Sequence, residues 1–178
     1  MKKLSLILIT LMAFGTFSSF AQGLKLGHVN SAAVLDSVPS FKRLSKYQLE
    51  LDKDFEAQAA ALGQKIEKMQ MELQAAYGDT SKSQMDIEFL EIDYQTLITK
   101  AQTIEKNYQM NSQTVQNRAN QIVEKYAEIV KEVAKDQSFT YVFDSQSHVL
   151  YADDSSKDLT QTIREKLIAF DKSSPFYE

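Results

Sequence analysis

Cysteine is absent from the 178-residue sequence. No disulfide can hold the fold, no thiol can act as a nucleophile, and no lipid can be attached to a cysteine after export, so stability must come from packing or from association between chains. Proline occurs only at positions 39 and 175, and no glycine follows Gly78, so nothing between those points forces a helix to break. There is no glycine-rich phosphate loop and no G-x-S-x-G motif. The two histidines, His28 and His148, come without cysteine or a tight carboxylate cluster, which argues against a metal site. Asp153-Asp154 lacks the alternating ligands and the glycine of a calcium loop and reads as a solvated turn. With no assembled acid, base and nucleophile, the chain is not expected to be an enzyme or to need a cofactor. Twenty basic residues stand against 24 acidic ones, a net charge of -4. Loss of Lys2 and Lys3 with a leader would leave 20 minus 2 against 24, or -6. That balance argues against a nucleic-acid or anionic-membrane binder.

Residues 1–21 read as a secretory signal peptide. Lys2 and Lys3 form the basic start, Leu4 to Phe14 the apolar stretch, and Ser19-Phe20-Ala21 a small-x-small cleavage site. The apolar stretch is shorter than the roughly 20 residues that span a bilayer. The mature chain is expected to begin near Gln22 and to be exported in soluble form.

What the sequence does have is a seven-residue repeat. Ile87, Tyr94, Ala101, Tyr108, Val115, Ile122 and Ile129 recur at heptad spacing through polar sequence, which is a coiled-coil register. A companion stripe lies three residues on in the first half (Leu90, Leu97, Ile104) and four on in the second (Ala119, Tyr126, Val133), so the seam changes sides near residues 108–119. One helix from about Gln84 to Asp136 is predicted, about 80 Å long at roughly 1.5 Å per residue. Its partner is upstream. From Ser40 the pattern turns helical, and after Leu44 and Leu51 it settles into Phe55, Ala59, Leu62, Ile66, Met69, Leu73 and Ala76. Residues 77–83, a cluster of turn formers, join the two as an antiparallel hairpin over 41–136. Gly63 sits inside the first helix as a tolerated residue or a bend.

The two ends of the chain bracket this hairpin. Leu24 to Asn30 reads as a strand, followed by a short helix over 31–38 capped by Asn30 or Ser31 and interrupted by Pro39. Phe139 to Phe143 and Val149 to Ala152 read as two strands of a β-hairpin, with alternation placing Tyr141 in the buried layer. Ser155 and Asp158 have the spacing of a capping box for a closing helix with Leu159, Ile163, Leu167 and Phe170 on one face, and 173–178 reads as a tail. Residues 22–40 and 137–172 therefore form one discontinuous β-rich body. Three short strands leave open edges, and association of several chains into a closed barrel is the direct remedy. The apolar strand positions Leu24, Leu26, Val29, Phe139, Tyr141 and Phe143 are the candidates for that contact. The fold class expected is α+β, mostly α: a coiled-coil arm projecting from a small β-barrel body formed by association.

Taken together, the export signal, the Leu24–Asn30 segment entering a helix, the long hairpin, and the blocks Phe139-Thr-Tyr-Val-Phe-Asp, Val149-Leu-Tyr-Ala and Ser155-Ser-Lys-Asp-Leu-Thr160 resemble the Skp/OmpH family of periplasmic chaperones. The resemblance implies a homotrimer with a small β-barrel and three arms around a cavity that holds unfolded outer-membrane β-barrel proteins without ATP. The best-known members have basic arm tips suited to acidic headgroups and lipopolysaccharide. Here residues 60–110 carry five basic against eight acidic residues, which argues against such contact.

Met85, Phe89, Ile92 and Met110 fall nearly opposite the seam of the second helix, and Met71 opposite that of the first. A flexible, polarizable surface of this kind adapts to many apolar sequences. These five residues are the client-contact candidates. The competing reading is a structural coiled-coil adaptor or tether in the cell envelope, for which a continuous, regular outward stripe would be expected instead of scattered Met and aromatic residues.

Overall fold

The computed structural model describes residues 24–147, 149, 151–152 and 156–174. Its elements in chain order are β1 (Leu26–Val29), α1 (Ser31–Leu35), α2 (Pro39–Gly78), α3 (Gln84–Asp136), β2 (Tyr141–Asp144), β3 (Lys157–Asp158) and α4 (Thr160–Ser173).

The arm is the antiparallel pair α2 and α3. All seven heptad positions of α3 lie on its inner side: Val115, Ile122 and Ile129 are buried and the four nearer the tip half-buried. Two helices alone cover only part of their seam, so on α3 full burial is reached only toward the body. On α2, Leu62 and Ala76 are buried, whereas Ala59 is exposed. The change of seam is occupied by a polar and aromatic cluster. Tyr108 stacks on Phe55 at 4.3 Å and donates to Asp52 Oδ1 at 3.0 Å, and Gln48 Nε2 donates to the same oxygen at 2.6 Å. The Asp52 carboxylate raises the pKa of the Tyr108 hydroxyl by favouring its protonated, donating form. Gly63 causes no break, and an added Cβ there would meet nothing within 4 Å.

At the tip, α2 runs two residues beyond the expected end and the connection narrows to 79–83. Ser83 caps α3 with a complete capping box, its side chain accepting from Asp86 N–H while Asp86 accepts from Ser83 N–H. Tyr77 donates to Glu91 across the hairpin.

The sheet departs from expectation. Its order is β2-β1-β3, and both outer strands run parallel to β1. Parallel neighbours need a long crossover, and between β1 and β2 the arm itself supplies it. Among the described residues no strand follows β2 to complete the expected β-hairpin: Val149, Tyr151 and Ala152 are not in a strand, and Leu150 and His148 lie outside the described residues. Alternation in Phe139–Phe143 is equally consistent with a local antiparallel partner and with a distant parallel one, and β1 takes the pairing, with Leu26 opposite Tyr141 and His28 opposite Phe143. The closing helix begins after Leu159 without a side-chain cap. Ser155 lies outside the described residues, and Asp158, placed by sequence in a capping box, is instead in β3 and accepts from Thr160 N–H at 2.8 Å. The first short helix is capped by Asn30, whose Oδ1 accepts from Ala33 N–H, and ends at Leu35, earlier than the Val38 expected. Pro39 occupies the first turn of α2, where its missing N–H costs nothing.

The core lies where α1, α4, the root of α3 and one face of the sheet converge. Val34, Val38, Ile122, Leu159, Ile163 and Leu167 are wholly buried there. No helix among the described residues is long and apolar enough to cross a membrane.

Candidate functional site

Apart from Tyr47, Leu49, Val123 and Tyr151, the large apolar residues that the protomer leaves exposed fall on two surfaces. The first is on the arm. Met71, Met85, Phe89, Ile92 and Met110 are between 58 and 64% exposed, and Tyr77, at 62%, joins them near the tip. Sequence periodicity found the five because they lie away from the seam. It missed Tyr77, which follows Ala76 at the end of the α2 pattern and was read as part of the turn. Each of these side chains is held in the open by helix geometry, since the i, i+3 and i+4 neighbours that would cover it are on its own exposed face.

The second surface is the outer face of the sheet. Leu26, Tyr141 and Phe143 share it, at 39, 57 and 44% exposure, with the rings of Tyr141 and Phe143 stacked at 6.1 Å. Leu24, just before β1, is 65% exposed. The other face is made by Gly27, Val29 and Val142. Two of the assembly candidates therefore need correction. Val29 is 3% exposed and belongs to the protomer's own core, leaving it almost no surface for a partner. Phe139 also packs against that core, beside Gly27 and beneath Lys25 Nζ at 4.4 Å. Tyr141 stays among the assembly candidates but is not in the buried layer of the protomer: Val142 takes that place.

On the same sheet, His28 Nδ1 is hydrogen-bonded to Ser156 Oγ at 3.1 Å, and its Nε2 lies 3.9 Å from Asp158. Serine and carboxylate therefore engage opposite ring nitrogens of a strand residue, an arrangement that ties β3 to β1. Among the described residues no group of three or more His, Cys, Asp or Glu side chains gathers to hold a metal ion. His148, Asp153 and Asp154 lie outside the described residues.

The sequence profile of the OmpH-like outer membrane protein family matches residues 25–167, which takes in β1, the whole arm and most of α4. The chain belongs to the OmpH-like family. No curated relative matches the sequence. Among solved structures, the OmpH-like fold recurs in a crystal structure from Caulobacter crescentus, of a protein proposed to be an outer membrane chaperone. The two share 16% identity with a TM-score of 0.55, over 82% of this chain and 84% of that one. At that identity the likeness is one of fold: the OmpH-like arrangement of long helices over a small sheet is common to both.

Proposed function

We propose that this OmpH-like protein is an ATP-independent periplasmic holdase, exported by a signal peptide cleaved near Ala21, that keeps unfolded outer-membrane β-barrel proteins soluble in a cavity between its arms. The observation that carries the reading is the exposure of Met71, Met85, Phe89, Ile92 and Met110 on an arm that does not need them to pair its helices. Family membership and the fold shared with a proposed outer membrane chaperone support it. Affinity comes from many weak apolar contacts, and release follows when the client gains more by folding into the membrane than by staying bound. The protein acts as a binder, with no catalytic step and no cofactor.

The working assembly in this reading is a homotrimer whose sheets close a barrel through Leu24, Leu26, Tyr141 and Phe143. The apolar outer face of a three-stranded sheet, left open in one protomer, supports it. Light scattering of the purified mature chain, alone and with a urea-diluted outer-membrane β-barrel protein, tests both parts. A trimer mass and suppressed client aggregation are expected. A monomer, or a client that aggregates undiminished, overturns the corresponding part.

A further inference from the structure

The two helices of the arm are unlike in charge. From Tyr94 to Asn117 on α3 only Lys100, Glu105 and Lys106 are charged, three residues in 24. The stretch of α2 alongside it, residues 45–68, has nine in 24. On a solvent-exposed helix the second pattern is ordinary and the first is not, because charge is what normally keeps such a face soluble and unattached. The deficit is ordered. Phe89, Thr96, Thr103, Met110 and Asn117 recur every seven residues on the side of α3 away from the seam, and all are exposed. Met85, Ile92 and Thr99 flank this column toward the tip, and Asn107 and Thr114 flank it toward the root, on its other side. The flank changes sides where the seam does, which leaves Asp86, Asp93 and Lys100 on the other flank toward the tip and Lys106 on the other flank toward the root. A charge-poor face therefore stays opposite α2 from Met85 to Asn117, about 48 Å at roughly 1.5 Å per residue.

Its chemistry is specific. Thr96, Thr99, Thr103 and Thr114 donate their hydroxyl protons back to the carbonyls of Ile92, Gln95, Thr99 and Met110 at 2.8–2.9 Å. A hydroxyl committed in this way offers only lone pairs and a methyl group outward. Three of these threonines, with Ile92 and Gln95, line a shallow concavity of about 660 Å³ together with one residue of each charge, Glu91 and Lys100. Such a surface suits an extended polypeptide: it accepts backbone N–H groups and packs against small apolar side chains, and its one acid and one base give no net charge by which to select a client. A second copy of the arm fits it poorly, since below Ile92 only Met110 supplies an apolar knob and helix pairing needs a repeating one.

We propose that the charge-poor face of α3, from Met85 to Asn117, is the track on which a held chain lies, that it takes extended client segments poor in charge, and that the charged side of α2 faces solvent. This rests on the holdase reading above. The test places three charges on each helix of the full-length mature protein. Thr96, Thr103 and Asn117 are changed together to Lys, and in a second variant to Glu; Ala57, Ala60 and Gln64, exposed on the stretch of α2 alongside and at least about 10 Å along the helix from Met71, are changed in the same two ways. Helicity by circular dichroism checks that all four variants fold, which is expected because Lys and Glu are good helix formers. The probe is an unfolded outer-membrane β-barrel protein diluted from urea, with affinity read by fluorescence anisotropy. Both α3 variants are expected to bind at least about tenfold more weakly than wild type, and both α2 variants within about twofold. Unchanged binding in the α3 variants, equal loss in the α2 variants, or tighter binding in the Lys set with loss in the Glu set overturns the track while the holdase stands. If wild type itself binds no client, the holdase reading falls and the track with it.

Discussion

Asp171 Oδ2 accepts the backbone N–H of Ser40 at 3.1 Å, joining residues 131 apart in the chain. The start of α2 has no cap of its own: Val38 offers no side-chain acceptor and Pro39 no N–H. A buried carboxylate from α4 fills the place, favourably set at the positive end of the helix. The root of the arm is thereby fastened to the body. Asp171→Ala leaves Ser40 N–H buried without that acceptor and is expected to lower stability by about 1–3 kcal/mol in urea unfolding, with Asp171→Asn, which keeps an oxygen, costing less.

Gly27 marks a close approach of the sheet to its cover. A Cβ at this position would lie 3.1 Å from Leu159 Cδ1 and 3.2 Å from Phe139 Cδ1. Leu159 is wholly buried and cannot move aside, whereas Phe139 is half-buried and can shift. Gly27→Val is expected to destabilise by about 1–3 kcal/mol through overpacking, and Gly27→Ala by less. Thermal unfolding of the two variants ranks them.

The arm was legible in the sequence because a single period of seven ran through Ile87 to Ile129 without proline or glycine, and a helix needs nothing beyond its own neighbours to express that period. The sheet was not. Tyr141 and Phe143 alternate whichever strand they pair with, and the pairing with β1 is settled by contacts more than a hundred residues away, such as Lys25 with Thr140. β3 is two residues long, too short to leave a period at all. The Asp171–Ser40 bond has no local signal either, and the same is true of Val29, whose strand pattern could not say which face was the protomer's own. The exposed arm residues were found by elimination from the seam. Tyr77 was missed because it stood among turn formers.

Tyr141 and Val142 separate folding from assembly. Val142 packs against the core while Tyr141 is exposed on the outer face. Val142→Asp is expected to unfold the body of the protomer, since an unpaired carboxylate in an apolar setting costs several kcal/mol. Tyr141→Asp is expected to keep protomer helicity and lower the assembled mass. Circular dichroism and sedimentation together check the pair; intact assembly in Tyr141→Asp means that the outer face is not the contact.

The root of the arm also has a pH signature. Lys166 on α4 donates to Glu132 on α3, which holds the Glu132 carboxyl below its ordinary value and raises Lys166 above its own. A depressed carboxyl adds stability above its unfolded pKa, and that stability is lost as pH falls through the folded one. A raised ammonium adds stability below its unfolded pKa, lost as pH rises through the folded one. The pair therefore contributes in full between the ordinary carboxylate and ammonium ranges and fades outside them. Both groups are solvent-accessible, so the effect is small and salt-sensitive. The urea midpoint of wild type is expected to fall more steeply than that of Glu132→Gln as pH drops from neutrality below the ordinary carboxylate range.

Holding a client by apolar contact makes one combined prediction for the arm. Changing Met71, Met85, Phe89 and Met110 together to Ser removes four exposed side chains that lie off the seam, so helicity and assembled mass are expected to stay near wild type. Client retention is expected to fall. Four contacts at roughly 1 kcal/mol each, discounted for partial burial, amount to about two orders of magnitude in affinity. Charge enters little, because residues 60–110 are net acidic, with eight acidic residues against five basic, and the exposed apolar residues carry none. Raising salt from about 50 to about 500 mM shortens the screening length severalfold and should barely change wild-type affinity. Suppression of client aggregation by wild type and variant at both salt concentrations is the measurement. Full activity in the variant, or loss of wild-type activity at high salt, shows that the arm holds its client by charge or by another surface, and the apolar reading of these residues is then wrong.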